Sequence, residues 1–125
     1  MDNRARLIIG SIKEFLETAA DAKEKNRLKS SITMYFKAIA EACDFFIYSK
    51  VLKVPDNHKE RFAYLKKLDY SLNEEAHTLF NIYRKTYSQM VDVADMVIIK
   101  NGTEKILKKL GIYKTLNQMA REKRD

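Results

Sequence analysis

The chain of 125 residues has one cysteine, one proline, three glycines, two histidines and no tryptophan. A β-sandwich or barrel needs turn residues every ~8–12 positions, so this supply of Gly and Pro excludes one. The lone Cys43 excludes an internal disulfide and a thiolate metal cluster within one chain. The longest apolar runs, such as Met96 to Ile99, fall far short of the ~20 residues of a membrane span. Met1-Asp2-Asn3-Arg4 lacks the basic-then-apolar order of a secretory leader. The expectation is a cytoplasmic protein with no membrane partner. No glycine-rich phosphate loop exists either, because Gly10, Gly102 and Gly111 stand alone.

What is present is helical periodicity and positive charge. The length fits one domain, residues 1–125, large enough to bury a core without staples. The formal net charge is +7, and residues 100–125 set eight Lys/Arg against Glu104, Glu122 and Asp125, leaving +5 there. Such a balance suits a polyanionic partner or serves solubility alone.

Ile8, Ile12, Phe15, Leu16 and Ala19 recur at three- and four-residue steps and predict a first helix over about Asp2 to Lys25. A second, Leu28 to Leu52, carries Ile32, Tyr35, Phe36, Ile39, Ala42, Cys43 and Phe46 on one side. Phe45, Ile47 and Tyr48 widen that face, as a central helix requires. Pro55 ends it, and Asn57 with Glu60 caps a short third helix bearing Phe62, Leu65 and Leu68. Ser71-Leu72-Asn73-Glu74 has capping-box spacing and opens a fourth helix. Its apolar positions, including Tyr83, Tyr87, Met90, Val91, Val97 and Ile98, run on to a stop at Asn101-Gly102. Thr103 then caps a fifth helix with Ile106, Leu107, Leu110, Tyr113 and Leu116 inward, fraying over residues 121–125. The fold expected is all-α: an antiparallel up-and-down bundle of four longer helices plus one short helix.

Chemistry-bearing patterns are few. Glu74-x-x-His77 has the spacing of a di-iron bundle ligand pair, but the motif is needed twice and a solvated first turn explains it as well. Cys43 lies on an apolar face beside Glu41 and Asp44, which opposes a thiolate. The acid pairs Glu41/Asp44 and Asp92/Asp95 each share a helix side and read as one polar groove or as ordinary solvated faces. Tyr83-Arg84-Lys85-Thr86-Tyr87, with Tyr64, Lys66, Lys67 and Tyr70, combines guanidinium and phenol groups suited to phosphate and base contacts. The tyrosines read equally as core stripe. No catalytic residue, metal ligand or cofactor is assigned.

The aromatic-rich helix with Tyr35, Ala38, Ala42 and Phe46, the turn Pro55-Asp56-Asn57-His58, the segment His58-x-x-Arg61-Phe62-x-x-Leu65 and the helix with Tyr83-Arg84-x-x-Tyr87 together resemble the HEPN superfamily. The likeness covers roughly residues 26–100. It implies a helical bundle that commonly forms a homodimer and works beside minimal nucleotidyltransferases or in RNA-targeting defence. The nuclease members carry an arginine followed four to six residues later by a histidine. Arg84 stands where that arginine would, but Ser88, Gln89 and Met90 offer no histidine, and His58 and His77 both precede Arg84. The resemblance therefore implies a non-catalytic member, a nucleotidyltransferase partner or an RNA- or nucleotide-associated module. Arg84, Lys105, Lys108 and Lys109 are the binding residues expected. The alternative is a helical protein–protein interaction module with no nucleic-acid role.

Overall fold

A computed structural model describes residues 1–124. These form six helices, α1 (Asn3–Glu24), α2 (Leu28–Val51), α3 (His58–Leu68), α4 (Tyr70–Ser88), α5 (Val93–Lys109) and α6 (Ile112–Arg124), with no strand among the described residues. Asp125 and its share of the expected fraying lie outside them, while residues 121–124 continue as helix.

Local chemistry sets most boundaries. Asp2 caps α1 by accepting from the Ala5 amide at 2.8 Å, and Asn57 caps α3 by accepting from the Glu60 amide at 2.9 Å. At α4 the cap is Asp69, which accepts from Leu72 N at 3.0 Å, and Ser71 Oγ instead donates to Glu75 within the helix. An aspartate two residues earlier thus displaces the expected serine cap.

The expected fourth helix is two helices. Asp92 and Asp95 form a capping box, Asp92 Oδ1 accepting from Asp95 N at 2.9 Å and Asp95 Oδ2 from Asp92 N at 3.2 Å. This pair starts α5 and interrupts an apolar period that runs unbroken through Met90 and Val91. Asn101-Gly102 is correspondingly no stop. Gly102 sits inside α5, where an added Cβ would meet Leu79 Cδ1 of α4 at 2.6 Å, so its smallness permits close helix approach. The break falls at Gly111, the positive-φ glycine (φ 70°), which separates α5 from α6. Five expected helices become six.

α2 is central and packs against α1, α3, α4 and α5, while α6 packs chiefly against α5 and α1. Phe36, Ile32, Ile39 and Ile47 of α2 are fully buried with Ile9 and Ile12 of α1, Leu65, Leu72, Ile99, Ile106 and Leu107. Cys43 lies among them, its thiol pushed up to about 12 by burial, the core residue its setting predicts. The expected apolar stripe holds less well after Tyr83: Tyr87, Met90, Val97, Ile98 and Tyr113 are exposed. Lys85 pairs with Asp95 at 3.0 Å and Lys109 with Glu75 at 3.4 Å, so the C-terminal end of α4 meets the N-terminal end of α5. No helix is long and apolar enough to cross a membrane among the described residues.

Candidate functional site

The seam of α2 and α4 carries a row of aromatic side chains whose exposure changes along its length. Tyr83 is buried and stacks on Phe36 with ring centroids 4.8 Å apart and planes within 10°. One turn later Tyr87 is 72% exposed, and the two phenol oxygens lie 2.5 Å apart. Burial, and then the hydrogen bond with Tyr87, pushes the Tyr83 phenol up to about 12. Both rings line an open groove of about 320 Å³ with Lys29, Ser30, Thr33, Met34 and Thr86. The groove thus offers one exposed aromatic face, a lysine and several hydroxyls.

Arg84, on α4 between these tyrosines, is exposed and lies 5.7 Å from the centre of the Phe80 ring. Lys105 and Lys108 are exposed on α5. Lys109 is engaged by Asp69 at 3.7 Å and Glu75 at 3.4 Å. Because Lys85 meets Asp95, the three lysines begin about ten residues further along α5 than the level of Arg84, roughly 15 Å at 1.5 Å per residue. Arg84 sits over Phe80 and is not among the residues that line the tyrosine groove, and the lysines form a separate basic end.

The two acid pairs separate as well. Asp92/Asp95 is the capping box. Asp44 is buried and receives a bidentate fork from Arg61, Nε to Oδ1 at 2.7 Å and Nη2 to Oδ2 at 3.0 Å. The third guanidinium nitrogen, Nη1, donates to His58 Nδ1 at 2.7 Å. Arginine has no acceptor to offer, so His58 is held neutral with its proton on Nε2. Burial, reinforced by the Arg61 charge, depresses the His58 pKa below the ordinary value of 6.5. The ring packs against Phe36 and Phe80. Glu41 remains half-buried, its carboxyl raised by burial and then by Asp44.

This Asp44–Arg61–His58 chain pins the short α3 onto α2 and was not anticipated as a unit. The signal available was an aspartate inside the apolar run Ala42-Cys43-Asp44-Phe45-Phe46, which demands a buried partner, and an arginine one turn after His58. His77 and Glu74 are exposed on the early turns of α4, with His77 against the Phe62 ring at 4.9 Å.

Compared with protein-family models, curated proteins and solved structures, the chain matches none of them.

Proposed function

We propose that this chain is a HEPN-like, non-catalytic helical bundle that acts as an RNA- or nucleotide-associated module or as partner of a nucleotidyltransferase. In this reading the helices follow an antiparallel up-and-down order and the chain works as a homodimer. The observation that carries it is the groove of Tyr83 and Tyr87, lined by Lys29, with the exposed Arg84 next to Tyr83 in α4. An exposed phenol braced by a buried one presents a rigid face on which an unpaired base stacks, and the cations meet its phosphates. His58, the imidazole nearest this row, is neutral and spends Nδ1 on Arg61, so binding without cleavage is the reading.

The test is anisotropy of a labelled single-stranded RNA across a salt series. Tyr87→Ala should weaken binding by the ~1–3 kcal/mol of one stacked base, roughly 5- to 150-fold. Arg84→Gln should lower the log–log salt slope by about 0.7. Replacing Lys105, Lys108 and Lys109 by glutamine should flatten it by up to about two units if a strand reaches the basic end. Absence of salt-dependent retention in wild type at low ionic strength would refute the proposal. It would favour instead a protein-binding role for the exposed Met90, Val93, Val97 and Ile98 around the start of α5.

A further inference from the structure

Between α1 and α6 lies an apolar trough of about 340 Å³, near the lower end of the size range of small-molecule sites. Ile9, fully buried, forms its floor, and Leu116 and Met119 of α6 form a half-buried wall. Arg6 pairs with Glu122 at 3.2 Å, which sets the end of α6 beside the start of α1. Lys123 and Lys13, both lining residues, therefore stand at the two ends of the trough, and no acidic side chain among the described residues lines it.

Gly10 adds an independent observation. It sits in the interior of α1, where glycine is the least favourable residue after proline. No packing inside the molecule requires it, because a Cβ built there meets no atom within 4 Å. Its missing side chain keeps the trough open. A space of that volume, walled by apolar side chains, suits an extended aliphatic chain.

We propose that the α1–α6 trough binds an aliphatic carboxylate, its chain laid over Ile9, Leu116 and Met119 past Gly10 and its head group held by a terminal lysine. The apolar lining supplies area for the chain, and the lysines select for a negative head.

The experiment follows the Met119 methyl by NMR in the whole protein, with methionine methyls labelled by ¹³C, during titration with decanoate below its self-association concentration. A saturable shift confined to Met119 is expected. Gly10→Leu, whose Cβ meets no atom within 4 Å and whose longer side chain occupies the trough, should weaken binding at least tenfold while circular dichroism stays unchanged. Should that variant lose helix, Ala120→Leu fills the same space from the α6 side. The double variant Lys13→Gln/Lys123→Gln should lose about tenfold, and decanol should bind more weakly than decanoate. A Met119 methyl that does not saturate at low millimolar decanoate, full binding by both filled variants, or equal binding of decanol would each overturn the proposal.

Discussion

A single aspartate decides how α3 attaches. Asp44 is buried, and its two oxygens are matched to the fork of Arg61. Such a pair contributes little net stability over an apolar substitute, since the desolvation of two charges offsets their attraction, but a lone member is costly. Asp44→Asn or Arg61→Met alone should lower unfolding free energy by about 3–5 kcal/mol. Asp44→Leu with Arg61→Met should restore most of the loss. Urea unfolding of the four proteins measures this, and single variants within about 1 kcal/mol of wild type would show that α3 is held by its apolar contacts alone. Residue types did announce part of this: an acid surrounded by Ala42, Cys43, Phe45 and Phe46 is anomalous on its face. Its partner was not legible, because Arg61 lies beyond a proline turn and only the packing of α3 on α2 brings the two together.

At the scale of elements, α1, α2 and α3 were legible to within a residue or two because the caps Asp2 and Asn57, the polar stretch before Leu28 and Pro55 punctuate their apolar stripes. The second half was not. Apolar spacing continues through Met90 and Val91, and nothing in periodicity reveals that Asp92 and Asp95 satisfy each other's amides and restart the helix. The same reading mistook Gly102 for a terminator when its role is close packing. The glycines should therefore respond in opposite senses to alanine. Gly10→Ala should stabilise by up to ~1 kcal/mol, a pure propensity gain. Gly111→Ala should destabilise by about 1–2 kcal/mol, since its φ of 70° is left-handed. Gly102→Ala sets that propensity gain against overpacking of the 5%-exposed Leu79, worth ~1–3 kcal/mol, and should come out destabilising. Melting temperatures rank the three directly. A Gly102→Ala protein more stable than wild type would show that Leu79 moves aside freely. The tyrosine groove was half legible: Tyr83 and Tyr87 share a helical face, but that one is core and the other 72% exposed depends on where α2 ends its cover.

For the whole molecule, acidity provides the connecting test. His58 is set between α3 and the aromatic row of α2 and α4, facing the Arg61 guanidinium, the Asp44 carboxylate and the nearby Lys37 charge. Its pKa in the folded protein is below 6.5, lowered by burial first and by Arg61 next. Between the folded and unfolded values the unfolded chain holds more protons, so stability rises with pH there and falls on acidification. Protonation also removes the Nδ1 acceptor that Arg61 uses, which strikes the same network as Asp44→Asn by a reversible route. Glu41 and Asp44, whose carboxyls burial raises, act with the opposite sign, so the total curve mixes two trends. Comparison with His58→Gln separates them. Wild type should lose more stability than the variant when pH is taken from 7 towards 5, and the imidazole nitrogen shifts should report an Nε2–H tautomer titrating below 6.5. Identical pH profiles for the two proteins, or a histidine titrating above its ordinary value, would mean that the Arg61–His58 bond does not form in solution.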